Sequence, residues 1–524
     1  MNLNTKCRQT DRKHAISAFL FADEKCHSAS RDMDETMNAC EVSTIRNLPG
    51  LTQKLQIPPH LNELCEAIQK NGGVPFAVGG CVRDHLLGLH PNDFDLEVFH
   101  LDLEALRQAC EHVGTVHEVG RAFGIMKVTV QTDASEMTFD VALPRRENKE
   151  GQGHRGFVIS SDPRMTFAEA SSRRDFTINA MGYNLLTHQL HDPHDGASDL
   201  EALCLRHVSP AFSEDPLRVF RACQFASRFG LEIVSDTIAL CHVLEPELPT
   251  LSRNRLWFEF KKLLLKSPWP SIGLQALRQT RALNMFPELR ALLECPQEPL
   301  WHPEGDVWTH TLMVLDEAAT LAREEELNEH ESLVCLLGAL CHDLGKPKCT
   351  HVEDGRVKSP RHESLGKSPT ESFLKSIGAP EKVIKDVIPL VVEHLKPYQL
   401  FKERERVSDA AIRRLACRVS IPRLLRVAKA DFLGRTTPEA LTREDHAGQW
   451  LEEEVKRLAL EEGAPKPLVL GRHLKELGVM PGPHLGQMLK RTFDAQLDGH
   501  FNSLEDGIAW VKQHLHNEGE NKPL

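Results

Sequence analysis

Apolar and polar positions recur with two different periods along this chain, and the change between them falls near residue 205. From about 50 to 200, strands and helices mix. Phe76, Ala77 and Val78 form a short apolar run that breaks at Gly79-Gly80, and helical spacing follows through Leu86 and Leu87. Residues 93–98 then alternate acidic and apolar. On a strand this places Asp93, Asp95 and Glu97 on one face and Phe94, Leu96 and Val98 on the other. Residues 125–130 predict another strand. So do residues 137–142, where Asp140 stands between Phe139 and Val141. The charged, glycine-rich run 144–156 reads as a mobile loop. After about 205 nearly every periodic segment is helical.

Proline-rich breaks at 267–270, 295–303 and 463–467 mark boundaries within the helical part. Residues 1–46 are polar and without sustained periodicity, which reads as a loosely ordered extension. Lys6, Arg8, Arg12, Lys13 and the apolar run 18–22 hint at targeting, but Asp11, Asp23 and Glu24 oppose a transit peptide. No internal repeat is visible. At 524 residues the chain exceeds one core and predicts roughly three or four domains.

Composition, 41% hydrophobic and 26% charged, is that of a soluble protein, and the longest apolar run, near 333–341, is too short to cross a bilayer. No membrane partner is expected. Fourteen cysteines without a CxxC pair indicate reduced thiols in the cytoplasm rather than a disulfide or zinc framework. The net charge of -12 weakens a nucleic-acid reading, yet local charge modifies it. Arg404, Arg406, Arg413, Arg414, Arg418, Arg423, Arg426 and Lys429 cluster in one stretch. Arg253, Arg255, Lys261, Lys262 and Lys266 cluster in another. Each is either a solvated helix face or a candidate RNA-contact surface.

Two glycines at a strand-to-helix turn let backbone amides approach a phosphate. Carboxylates beside such a cradle are the oxygen ligands that Mg2+ prefers, and phosphoryl transfer needs metal and positioning above all. Further on, Arg174 and Asn179 are spaced to reach a triphosphate or its sugar. Asp175 reads equally as a group that orients an arginine and as an inter-domain salt bridge. Ser213 is the N-cap candidate of the next helix, Pro216 sits in its first turn, and Gly230 closes it. Asp215, Arg218 and Arg221 share one broad face of that helix. A carboxylate and an arginine so placed accept the edges of cytosine and adenine and reject those of uracil and guanine; as a bare helix-surface ion pair they contribute little.

Three motifs in order, GGCVRD…DFD, RRDFTINAM and SEDPLRVFR, closely resemble the CCA-adding tRNA nucleotidyltransferases and related poly(A) polymerases of the polymerase-beta-like superfamily. The similarity covers most of 70–300. It implies template-independent addition of CCA to the 3′ end of tRNA from CTP and ATP. By position, Asp93 and Asp95 match the catalytic Mg2+ ligands, and Gly80 and Arg83 the lining of the phosphate site. Arg174 matches a triphosphate contact, Asp215 and Arg218 the amino-acid template, and Arg221 a supporting contact. Arg255 and Glu259 match a neck motif in part. Gly120-Arg121-Ala122-Phe123-Gly124 looks like the CCA-adding version of a run that differs in bacterial poly(A) polymerases. Gln224 replaces an arginine of some relatives.

Farther on, His310, His342-Asp343 and Asp431 appear in the order of the HD phosphohydrolase superfamily, a combination similar to multifunctional bacterial CCA proteins. The imidazole and carboxylate donors suit Ni2+, Mn2+ or Fe2+ better than Mg2+ alone. His362 and His394 are candidates for a second metal position, although His394 also reads as a helix cap. The segment from Gly471 to Gly499 resembles the tail of such relatives, where Lys475, Lys490 and Arg491 permit tRNA contact but a structural cap is favoured.

The implied architecture is an α+β nucleotidyltransferase head, a small mixed sheet with helices, followed by all-α neck, HD and tail domains. The divisions fall at 1–50 (extension), 51–205 (head), 206–300 (neck), 301–445 (HD) and 446–524 (tail). Rival readings are a CC-adding, A-adding or poly(A) polymerase, a non-catalytic RNA-binding protein, and a hydrolase with an accessory head. The sequence leaves monomer and homodimer equally open.

Overall fold

A seven-stranded mixed sheet forms where the alternation has period two. The computed structural model describes residues 47–118, 125–131, 136–149 and 157–520. The extension 1–46 and the run 120–124 lie outside the described residues. The strands are β1 (Val74–Val78), β2 (Asp95–Phe99), β3 (Thr115–Glu118), β4 (Ile125–Gln131), β5 (Glu136–Ala142), β6 (Arg145–Lys149), β7 (Phe157–Ser161), β8 (Gly182–Asn184) and β9 (Gln189–His191). The main sheet runs β3-β4-β5-β2-β1-β8-β9, and β6 and β7 form a separate hairpin. The charged run read as a loop therefore opens in a strand: Arg145–Lys149 pairs with Phe157–Ser161, and 150–156 lies outside the described residues. Hairpin pairing with the next strand overrode a composition that signals no strand.

β1 is an interior strand between β2 and β8, and Phe76, Ala77 and Val78 are all buried, so its pattern is continuous rather than alternating. β2 starts at Asp95, two residues later than the alternation suggests, and leaves Asp93 in the extended approach to the strand. Helices Pro59–Lys70 and Leu103–Glu111 pack on this sheet through Leu61, Leu64, Ile68, Leu106 and Ala109.

Beyond the sheet the chain is almost wholly helical. Helix Leu217–Phe229 lies against Arg253–Lys266 and Pro270–Gln279. It ends as expected at Gly230, whose φ of +65° is the left-handed cap that glycine adopts without strain. Its start differs from expectation. Ser213 belongs to a preceding 3-10 turn, and the Asp215 carboxylate accepts the Leu217 N–H at 3.1 Å instead. Phe260, Phe286 and Phe373 meet edge to face at 5.2 and 5.7 Å, joining this layer to helix Lys367–Ser376, and the helices Val307–Glu324, Glu329–Cys341, Glu381–Glu393 and Ile421–Leu433 complete this part of the chain. The last helices, Gly471–Glu476, Pro483–Leu497 and Leu504–Glu520, enclose a small core of their own around Leu474, Met488 and Val511. No helix among the described residues is long and apolar enough to cross a membrane.

A carboxylate seals the junction between the two helical layers. Asp316 accepts the Ser271 N–H at 3.0 Å and the Ser271 hydroxyl at 2.6 Å. Burial outweighs these bonds and pushes its carboxyl up to about 7. A folded-state pKa above the unfolded one contributes stability that is present below about pH 4 and is lost as pH rises through about 7. Asp316→Asn is expected to flatten that decline, so that the variant gains on the native protein at pH 8 relative to pH 5. Urea unfolding at the two pH values checks this.

Candidate active sites

The first site is a cavity of about 440 Å³ where the sheet edge meets helix Leu217–Phe229. The Gly79-Gly80 turn forms one wall. Gly79 has a φ of +74°, a conformation that favours glycine, and a Cβ there would stand a tight 3.2 Å from Arg174 Nη1. Arg174 is held from behind by Glu97, which accepts its Nη2 at 3.1 Å. Glu97 thus serves to position a guanidinium rather than to extend the acidic row.

Asp95 lies in the same wall, and the sheet register gives it a neighbour that no spacing rule shows. β2 pairs in parallel with β5 so that Asp95 stands opposite Asp140. Burial in the cleft, followed by the Asp140 charge and, more weakly, that of Asp93, pushes the Asp95 carboxyl up, while Arg174 and Lys127 oppose this. Lys127 holds Asp140 at 2.8 Å. Asp93 is exposed and, unlike Asp95, is not among the residues that line the cavity. Mutually repelling carboxylates at the mouth of a cationic cavity fit a hard divalent cation, whose charge would relieve the repulsion.

The opposite wall carries the helix motif. Asp175 is buried, and it accepts the Phe176 N–H at 2.8 Å, Asn179 Nδ2 at 3.1 Å and Arg221 Nε at 2.7 Å. Burial alone would raise its carboxyl, but Arg221 and these hydrogen bonds hold it below the usual range. The two readings of Asp175 merge: it is a salt bridge that orients an arginine. Arg218 donates to the Ala211 and Arg173 carbonyls at 2.6 and 2.8 Å, which locks the guanidinium plane. Arg255 donates to Asp215 Oδ2 at 2.6 Å. Asp215, Arg218 and Arg221 all line the cavity, as their spacing suggests. Arg83 also lines it, with its donors engaged by Asn179 at 2.6 Å and Asp84 at 2.7 Å and its plane 4.5 Å from the Phe229 ring. Gln224, Phe225, Arg228 and Lys262 complete the lining.

The second site is buried among the later helices. His310, His342 and Asp431 converge from three of them, and Asp343, His362 and His394 converge beside them. The Nδ1 atoms of His342, His362 and His394 face the Ala339, Ser359 and Val391 carbonyls at 2.7, 2.9 and 2.7 Å. A carbonyl only accepts, so each proton sits on Nδ1 and each Nε2 lone pair faces inward. His362 and His394 thereby oppose lone pairs at 3.3 Å. His342 Nε2 and both Asp343 oxygens are buried without a hydrogen-bond partner, although Lys346 Nζ approaches Asp343 at 2.6 Å. Burial, with His362 and His342 nearby, pushes His394 down to about 3 and keeps it neutral. Inward lone pairs and orphaned carboxylate oxygens fit a mid-row divalent metal, and His394 closes its helix as well as joining the cluster.

Sequence reasoning placed Asp140 on a strand without assigning it to the site, and it passed over Lys127, His302 and Glu304. For Glu304 a signal existed, the His-x-Glu spacing eight residues upstream of His310. The basic stretches are largely committed within the fold. Arg418 pairs with Glu393, Arg423 with Glu331 and Asp386, Arg426 with Glu325 and Arg414 with Asp498.

Comparison with known proteins bears on both sites. Residues 75–206 match the family model "Poly A polymerase head domain", 230–293 match "Probable RNA and SrmB- binding site of polymerase A", and 307–433 match "HD domain". The chain is 35% identical over 372 residues to a "Multifunctional CCA protein" of Xylella fastidiosa, covering 69% of this chain and 84% of the relative. It is 35% identical over 426 residues to that of Xanthomonas euvesicatoria, covering 80% and 96%. The fold is that of the Bacillus stearothermophilus CCA-adding enzyme in complex with CTP, with a TM-score of 0.59 at 20% identity over 89% of this chain and all of the other. A Thermotoga maritima CCA-adding enzyme complexed with tRNA aligns at 0.54 and 18%, covering 88% and 99%. At 35% identity over more than two thirds of its length, and with both sites present, the chain belongs to the multifunctional CCA protein family.

Proposed function

We propose that the chain adds cytidine, cytidine and adenosine to the 3′ end of tRNA from CTP and ATP in the cytoplasm, and that its HD domain is a phosphohydrolase. One observation carries the first part: a single cavity joins the Gly79-Gly80 turn, Asp95 and Arg174 on one wall to Asp215, Arg218 and Arg221 on the other. A nucleoside triphosphate bound there places its phosphates against the turn and Arg174 and its base against the helix motif. Asp215 accepts from the amino group of cytosine or adenine, and Arg218 donates to the adjacent ring nitrogen. Uracil and guanine present the opposite pattern and leave both groups unpaired. Asp175 and Arg221 keep this reader rigid. Asp95 and Asp93, with Asp140 beside them, would hold Mg2+, which supplies charge neutralisation at the triphosphate and activation of the tRNA 3′-hydroxyl.

In the HD domain His310, His342, Asp343 and Asp431 would hold a transition metal such as Ni2+ or Mn2+, with His362 and His394 completing a second position. Such an ion supplies an activated water for attack on a phosphoester. Cyclic phosphates, 2′-nucleotides and damaged RNA ends are the substrates this chemistry suits.

Incubation with tRNA lacking its last three nucleotides tests the head. Supplied with CTP and ATP, the protein is expected to add C, C and A in order. CTP alone should stop after two additions. A long A tail, or arrest after CC with both nucleotides present, would select a rival.

A further inference from the structure

Of the two histidines in the His310–His342–Asp431 group, His342 turns its Nδ1 to a backbone carbonyl, whereas His310 has side chains at both ring nitrogens. Its Nε2 lies 3.1 Å from Asp431 Oδ1, and its Nδ1 lies 2.8 Å from Glu304 Oε1. Nδ1 makes no hydrogen bond in this structure: the 2.8 Å contact with the Glu304 carboxylate is an ion-pair approach, and no other acceptor reaches that buried nitrogen among the described residues. His310 and Glu304 are both buried.

A neutral imidazole carries one ring proton. On Nε2 it would be donated to Asp431, and that bond would consume two of the three groups needed to hold a metal. We propose that Glu304 is the positioning residue of the HD metal site: its carboxylate draws the His310 proton to Nδ1 and so leaves the Nε2 lone pair and Asp431 free for the ion. The inference rests on the metal-site reading given above.

The surroundings of Glu304 support this assignment. Its Oε2 accepts the Thr436 N–H at 3.2 Å and sits 3.4 Å from the Thr436 hydroxyl. Its Oε1 is 2.9 Å from His302 Nδ1, and the His302 ring packs edge-on against His310 with centroids 4.6 Å apart. Thr436 directly follows Arg435, whose guanidinium grips Asp431 at 2.7 Å. Glu304 therefore ties the approach to the His310 helix to the end of the Asp431 helix. One carboxylate sets the tautomer of one ligand and the position of the segment that anchors the other.

The geometry also dictates which substitution is most informative. In Glu304→Gln the Thr436 N–H still requires an acceptor, so the amide oxygen turns toward it and the amide NH2 faces His310. That arrangement favours the proton on Nε2, the wrong tautomer for a ligand, while shape and packing persist. The native protein, Glu304→Gln and Glu304→Ala are titrated with Co2+ and with Ni2+ by calorimetry, under excess Mg2+ that occupies the head carboxylates. The visible spectrum of bound Co2+ is a second readout, and thermal melts in chelator control for folding. Both variants are expected to bind 10- to 100-fold more weakly, a range typical of lost outer-shell partners. The Gln variant should show this loss with a near-native melt. Affinities within twofold of native and an unchanged Co2+ spectrum in the folded Gln variant would overturn the proposal. A native protein that binds neither ion would overturn the metal-site reading itself, a result distinct from native binding matched by the variants.

Discussion

Asp95→Asn abolishes nucleotide addition without loss of fold stability. The carboxylate lies in the cavity wall beside the Gly79-Gly80 turn and opposite Asp140, where a metal ion and a triphosphate would meet. Loss of one anionic ligand removes several kcal/mol of transition-state stabilisation, and each ~1.4 kcal/mol is a factor of ten. Addition of CMP to tRNA lacking its CCA end should therefore fall by about a thousand-fold or more. Stability should move the other way. Cleft burial and the Asp140 and Asp93 charges raise the Asp95 carboxyl, so its ionised form is disfavoured in the folded chain. Its contribution is present below the ordinary carboxylate range and is lost as pH rises through the raised value. The amide carries no such penalty. Denaturant unfolding at pH 7.5, without added metal, should show the variant as stable as the native protein or more so. A variant that adds CMP at the native rate would remove the acidic pair from the mechanism.

His342→Ala and Asp343→Asn both abolish hydrolysis, but they differ in their effect on the fold. His342 projects an inward Nε2 with no hydrogen-bond partner, so its removal costs ligation and a cavity. Asp343 carries a further duty. It stands 2.6 Å from Lys346 Nζ, and both residues are buried. Neutralising it leaves a buried ammonium whose remaining partner is Gln297 at 2.5 Å. Breaking one side of a buried pair costs about 3–5 kcal/mol. Hydrolysis of a 2′,3′-cyclic nucleotide should drop at least a hundred-fold in both variants, and Asp343→Asn should also show the lower urea midpoint. Retention of hydrolysis in the double variant would refute the phosphohydrolase reading. CCA addition by the double variant, measured in parallel, reports whether the head works independently.

Local features made much of the head legible before any coordinates. An apolar run, a glycine pair and an acidic-apolar alternation are short-range signals, and they place β1, the turn and β2 within two residues of their observed bounds. The spacing of Asp215, Arg218 and Arg221 is equally local, because residues three apart on a helix face the same way. The histidines and aspartates of the HD cluster were legible as types in order. The inward orientation of His342, His362 and His394 rests on carbonyls three residues back, two of them in the last turn of a helix and one in the segment that leads into a short helix.

What the sequence determined by itself is the inventory: glycines where backbone must approach an anion, carboxylates with the right spacing, imidazoles in order, and the periods that sort sheet from helix. What the tertiary structure decided is every partnership across distance. The parallel register of β2 and β5 made Asp140 the neighbour of Asp95, 45 residues away in sequence. Helix packing committed Arg255 to Asp215 and most of the basic stretch to internal carboxylates. It also brought Glu304 to His310 and Thr436. The physical reason is that period and propensity act over a few residues, whereas register, burial and charge pairing are settled only when distant segments compete for the same space and the same hydrogen bonds.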